Sequence, residues 1–217
     1  MRLYYTSIFF LSVVFANTTF AQQTAAGSSH LNADSTYSQW SYAATAFQYF
    51  LPNENNTTLL IATADYNAWH IETRYNYEAA KTASVFGGYQ FETGKTLVLD
   101  ITPILGFAFG DVIAVVPGLE TSLAWKSFDL YSESEYVFDV KGKENNFFYN
   151  WSEAGITAFD KLRAGVAINR TRLFKSGLEL QKGIFAQYSF WKLTAGLFYF
   201  NPFSTDNYLI ASLGIEF

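Results

Sequence analysis

The feature that most restricts this chain is a two-residue alternation of greasy and polar side chains, repeated in long runs. From Trp69 to Glu78, Trp69, Ile71, Thr73, Tyr75 and Tyr77 alternate with His70, Glu72, Arg74, Asn76 and Glu78. Successive side chains on a strand point to opposite faces, so this pattern predicts a strand with one apolar, aromatic face and one charged face. The same period recurs where Leu97, Leu99, Ile101, Pro103, Leu105 and Phe107 oppose Val98, Asp100, Thr102 and Gly106. It recurs again where Leu119, Thr121, Leu123 and Trp125 oppose Glu120, Ser122, Ala124 and Lys126. Between Leu178 and Phe190, Leu180, Ile184, Ala186, Tyr188 and Phe190 oppose Glu179, Gln181, Gly183, Gln187 and Ser189; Lys182 alone falls on the greasy face.

A soluble sandwich also alternates, and composition separates the two cases. Charged residues are 15% of the 217, against roughly 25% in average soluble domains, while aromatics reach 19%. The mean hydropathy of +0.05 is too polar for a bundle of membrane helices. The one stretch that could mimic such a helix, Val98 to Leu119, contains Asp100, Asp111, Pro103, Gly106, Gly110, Pro117 and Gly118, and reads better as two strands joined at Gly110-Asp111. Greasy faces ending in Tyr, Trp or Phe resemble the aromatic girdles of a membrane interface. Turn signals follow runs of about 10–14 residues, longer than the usual five or six of soluble strands. The predicted fold is therefore an all-β, closed antiparallel transmembrane barrel of about 12 strands, with 10 as the alternative if the first two segments form one bent strand.

The expected segments are 37–51, 57–65, 68–79, 82–91, 95–108, 114–126, 127–140, 146–158, 161–173, 176–190, 192–202 and 207–217. Polar loops such as 52–56, 141–145 and 201–207 follow odd segments. Tighter turns at Tyr66-Asn67, 92–95, 159–161 and Trp191-Lys192 follow even ones. An even strand number puts both ends of the barrel on the periplasmic side.

The two ends of the chain predict its route. Arg2, the apolar run Ile8 to Ala16 and the small residues Thr19 and Ala21 predict a signal peptide over 1–21, cleaved before Gln22. The run is too short to span a hydrocarbon core. Residues 22–36 are polar and aperiodic, a flexible periplasmic lead-in, which leaves 37–217 as the barrel. At the other end Leu209, Ala211, Leu213, Ile215 and Phe217 alternate up to a final Phe. This resembles the terminal β-signal of bacterial outer-membrane β-barrel proteins, although many of those carry Tyr or Phe where this chain has Ile215. The resemblance covers about ten residues and implies recognition by periplasmic chaperones and the barrel-assembly machinery, outer-membrane lipids as surroundings, and no particular activity.

Function would sit in the lumen. The inward set expected from alternation is Glu72, Glu78, Asp100, Glu120, Glu133, Glu135, Glu179 and Glu216, opposed by Arg74, Lys126 and Arg163. Glu133 and Glu135, about 7 Å apart along one strand, are the leading candidates for setting selectivity. The facing of Arg170 and Arg172 is ambiguous: simple alternation from Leu162 sends both to the lipid side, and a bulge would turn one inward. These residues support two readings. One is a narrow passive channel for small solutes with a preference for cations; the other is a plugged barrel with a structural or binding role. A lipid hydrolase is the distant third, because His70, the only histidine outside the lead-in, has no serine near it in a suitable pattern. Without cysteine, and with one histidine among scattered carboxylates, no metal site has recognisable ligand spacing, and no cofactor motif occurs. A pI near 5.0 and a net charge of −5 argue against nucleic acid as a partner.

Overall fold

The computed structural model describes residues 40–52, 55–170 and 180–217. These form a continuous antiparallel sheet of thirteen segments: β1 Trp40–Phe50, β2 Thr57–Tyr66, β3 Trp69–Tyr75, β4 Thr82–Tyr89, β5 Phe91–Thr93, β6 Leu97–Gly110, β7 Ala114–Trp125, β8 Phe128–Asp139, β9 Phe147–Ala158, β10 Leu162–Arg170, β11 Gln181–Phe190, β12 Leu193–Phe200 and β13 Tyr208–Glu216. Apart from β4 and β5, which do not pair with each other, each segment pairs with its neighbours in sequence; β13 returns to β1, and β4 pairs with β6 to complete the circuit. The β4 and β5 segments are halves of one wall strand. Gly88 stands opposite Ile104 and Phe91 opposite Ile101, so the register does not change across Gln90. In that register Pro103, which has no N–H to donate, faces the break. The barrel therefore has twelve strands, closed without an edge.

The wall follows the alternation read from the sequence. Pro103, Leu105, Phe107 and Phe109 are exposed on β6 while Thr102, Ile104, Gly106 and Ala108 are buried. Lys182 lies outward on β11, as its phase demands. Exposed aromatics gather at the two rims. Trp40, Tyr42, Trp69, Tyr89, Phe91, Trp125, Phe128, Phe190 and Trp191 mark the end that holds the termini, and Phe50, Tyr75, Phe109, Tyr136 and Phe138 the other. Several touch one another: Trp40 meets its cross-strand partner Tyr66 at 5.0 Å, and Tyr136 meets Phe138 of the same strand at 4.6 Å between ring centres. Between the rims the outward residues are aliphatic, among them Leu60, Leu105, Ile156, Val166, Ile184, Leu197 and Leu213. An apolar band between aromatic belts is a surface made for a bilayer.

The turns explain where alternation is reset. Asn67, Lys126, Phe159, Asp160 and Trp191 adopt positive φ in the tight connections at the terminal end. Asn76, at φ 60, lies just beyond β3. This left-handed residue shifts the phase, so Tyr77 turns into the barrel instead of staying on the greasy face that simple alternation predicts. Lys126 is likewise corrected: it is an exposed turn residue with φ 56, its ammonium 5.1 Å from the Trp125 ring, and not an inward counter-charge. At the seam, Phe217 N–H donates to Tyr42 O at 2.9 Å and Tyr42 N–H to Phe217 O at 3.2 Å, so the last residue stitches the barrel shut.

Candidate functional site

The interior is divided between a charged sector and an aromatic one. At the centre of the charged sector is Arg74, delivered inward by the phase of β3. Its Nη1 lies 2.5 Å from Glu135 Oε1 and 2.9 Å from Glu133 Oε1, and its Nε bonds Glu72 Oε1 at 2.5 Å. Glu78 and Glu120 complete the ring at 3.8 and 3.9 Å. The guanidinium carbon lies over the rings of Phe86, 4.1 Å from its centre, and Tyr77, 4.3 Å from its centre. The Phe86 ring fits only because residue 106 is glycine: a Cβ there would lie 2.3 Å from the ring. Tyr77 and Tyr131 hydroxyls both donate to Glu133 Oε2, at 2.8 and 3.2 Å.

A second group surrounds Arg163 on β10. It bonds Asp129 through Nε at 2.9 Å and also through Nη2, Gln187 Oε1 through Nη1 at 2.9 Å, and Glu153 through the same Nη1. Trp151 Nε1 donates to the other Glu153 oxygen at 2.8 Å. Nearer the terminal rim, His70 Nδ1 lies 2.7 Å from Asp65 and Nε2 lies 3.3 Å from Glu72. Both ring nitrogens of His70 thus face carboxylates inside the lumen, which leaves it without the serine partner that a hydrolase on the outer face would need. Asp100 accepts from Ser122 at 3.0 Å.

The aromatic sector is built from β1, β9, β11, β12 and β13. Trp151 is its hub, with Phe198 at 5.4 Å, Phe200 at 5.6 Å and Phe47 at 6.3 Å, while Phe200 stacks on Tyr208 at 5.0 Å. Packing is tight enough that Phe198 and Phe200 are fully buried. Alternation with aromatics on the outward face does not predict this half. A signal was present: Phe198 and Phe200 share the strand phase of Thr194 and Gly196, the polar side of β12.

Of the residues expected in the lumen, Glu72, Arg74, Glu78, Asp100, Glu120, Glu133, Glu135 and Arg163 are buried inside it. Glu216 is half-buried opposite Ala43. Glu179 and Arg172 lie outside the described residues. Arg170 takes the outward phase at the end of β10, over the Phe148 ring at 5.5 Å. The structure adds Asp65, Asp129 and Glu153. Among the described residues, nine buried carboxylates therefore face two buried arginines. Glu120 and Glu133 are direct cross-strand partners, a like-charge pairing that destabilises a sheet unless something offsets it.

No family model and no curated protein matches the sequence. Solved structures do match in shape. The chain is similar to the KdgM porin, and to the same porin in complex with disordered oligogalacturonate. In both cases the TM-score is 0.57 and the identity 10%, covering 81% of this chain and 98% of that one. It is also similar to the Acinetobacter baumannii outer membrane protein Omp33, with a TM-score of 0.43 and 13% identity over 83% of this chain and 97% of that one. The closed twelve-stranded barrel is thus an architecture shared with a porin.

Proposed function

We propose that this protein is a bacterial outer-membrane barrel whose narrow lumen passes small cations and rejects anions. The observation that carries this reading is the charge balance of the interior: among the described residues, nine buried carboxylates face two buried arginines and one buried histidine. Rings of carboxylate favour cations in a pore. The apolar band, its aromatic belts and the porin-like architecture support the membrane setting. Export through the 1–21 signal peptide, and assembly through the strand that ends at Phe217, belong to the same reading. The KdgM porin has been solved with oligogalacturonate, a polyanion; a lumen rich in carboxylate repels such a solute, so the cargo proposed here is of opposite charge.

A second reading, a sealed barrel with a structural or binding role, is favoured by one observation. Glu72 is 0% exposed and Glu133 and Glu135 are 1% exposed, so side chains fill the middle of the lumen. Single-channel recording of the refolded barrel in a salt gradient separates the two. The first reading expects steady conductance and a reversal potential set by the cation, with selectivity reduced in Glu133→Gln and Glu135→Gln. A barrel that shows the heat-modifiable gel shift of a folded protein yet never conducts would leave the second reading standing.

A further inference from the structure

His70 and Glu72 on β3 meet Glu120 on β7, and one donor atom from each lies within 4.8 Å of the other two. All three residues are at least 95% buried. The imidazole is already oriented for ligation. Asp65 and Glu72 can only accept, so in the metal-free protein Nδ1–H donates to Asp65 at 2.7 Å and Nε2–H to Glu72 at 3.3 Å; a metal ion takes the place of the Nε2 proton, which is released. A carboxylate behind a histidine is the usual outer partner of a metal-bound imidazole, fixing its tautomer and ring angle. A second observation concerns an oxygen that the hydrogen bonding leaves over. Glu120 Oε1 is buried and has no hydrogen-bond partner among the described residues. Its nearest cationic atom, Arg74 Nη2, is 3.9 Å away, too far for a hydrogen bond. Arg74 reaches Glu72, Glu133 and Glu135 at short range through Nε and Nη1, while Nη2, like Glu120 Oε1, is left without a hydrogen-bond partner among the described residues.

We propose that His70, Glu72 and Glu120 bind a divalent transition-metal cation of the zinc class inside the barrel, with Asp65 as the positioning residue behind His70. Tetrahedral zinc with nitrogen and oxygen ligands at about 2.0–2.2 Å sets neighbouring donors about 3.4 Å apart. His70 Nε2 and Glu72 Oε2, at 3.3 Å, already have that spacing. Glu120, whose donor atom lies within 4.8 Å of both, would have to close in to complete the set, and water would supply the fourth position. The imidazole selects this class over calcium or magnesium, which prefer oxygen alone. The cation also offsets the Glu120–Glu133 repulsion that the sheet register imposes. The site requires the folded barrel and does not depend on ion passage, so it stands or falls separately from the channel reading.

The test is titration of Zn²⁺ into the folded, chelator-stripped full chain, followed by zinc-edge X-ray absorption on the loaded, unsubstituted protein. The expected results are one tight Zn²⁺ per chain and a first shell with one imidazole nitrogen and carboxylate oxygens. His70→Gln and Glu120→Gln each weaken binding by about tenfold or more, and Asp65→Asn by about 10–100-fold. Three results overturn the proposal: no stoichiometric Zn²⁺, a first shell without imidazole, or affinity unchanged in folded His70→Gln and Glu120→Gln proteins. Binding of Ca²⁺ or Mg²⁺ in place of Zn²⁺ overturns the assigned class.

Discussion

Replacing Arg74 with methionine isolates what a single buried cation does among five carboxylates. Methionine fills much of the same space against Phe86 and Tyr77 and removes the charge. Breaking a buried ion pair by deleting one partner costs about 3–5 kcal/mol, because the remaining charge is left uncompensated. A second estimate reaches a similar size by another route. The folded variant can escape the penalty by taking up one proton that the unfolded chain, with a carboxyl pKa of about 4.3, does not hold. At pH 7 that costs about 1.36 kcal/mol for each of about 2.7 pH units, roughly 3.7 kcal/mol, and at pH 5 only about 1 kcal/mol. The sign follows directly. The folded variant then binds more protons than its unfolded state, so its stability falls as pH rises. Relative to the parent, Arg74→Met is expected to lose about 3–4 kcal/mol at pH 7 and to recover about 2.7 kcal/mol of this at pH 5, for each proton taken up. Reversible denaturant unfolding in lipid vesicles, read by tryptophan fluorescence at both pH values, measures this. A loss below about 1 kcal/mol at pH 7 would show that Arg74 is not the buried counter-ion. An equal loss at both pH values would assign the effect to packing and not to charge.

Two further perturbations probe the wall and its fit to the interior. Gly106→Val drives a Cβ against the Phe86 ring that supports Arg74, and is expected to destabilise by about 1–3 kcal/mol, with partial recovery when combined with Phe86→Leu; recovery is read from the midpoint of the heat-modifiable gel shift. Leu105→Arg, on the outward face of β6, is expected to cost about 2–4 kcal/mol in vesicles of ordinary thickness, and a neutral effect there would refute the membrane-facing assignment.

The wall was legible because its surroundings enforce it. Lipid outside and packed side chains inside leave each strand residue one of two environments, so a period of two survives in the sequence from β1 to β13. Alternation failed where the backbone left the strand. Tyr77 was misassigned because Asn76 enters the left-handed region, and Lys126 because it occupies a turn. The Asp65–His70 pair follows from register once the Tyr66-Asn67 turn is recognised, since the two residues are cross-strand partners. Contacts across the lumen had no comparable signal. Arg74 and Glu135 are 61 residues apart, and Tyr77 and Glu133 are 56 apart. Their meeting depends on the circumference and stagger of the closed barrel, which no local pattern encodes. Glu153 was hidden for a different reason: it shares its inward phase with Trp151 and Tyr149, so the polar face of β9 looks greasy.

That mixed interior bears on how the lumen works. In a barrel of this size, rings filling one side of the cross-section leave any path to run along the other. Trp151, Phe198, Phe200 and Tyr208 pack against β1, β9 and β11 to β13, while Arg74 and its carboxylates come from β3, β7 and β8. A cation crossing under the proposed reading would therefore move along one wall, stepping between carboxylates while displacing Arg74 or bypassing it. Arg74 then acts as a tethered counter-ion that competes with the permeant ion for Glu133 and Glu135. Closure and cation preference would come from the same contacts, and the carboxylate excess would select cations only once the guanidinium yields.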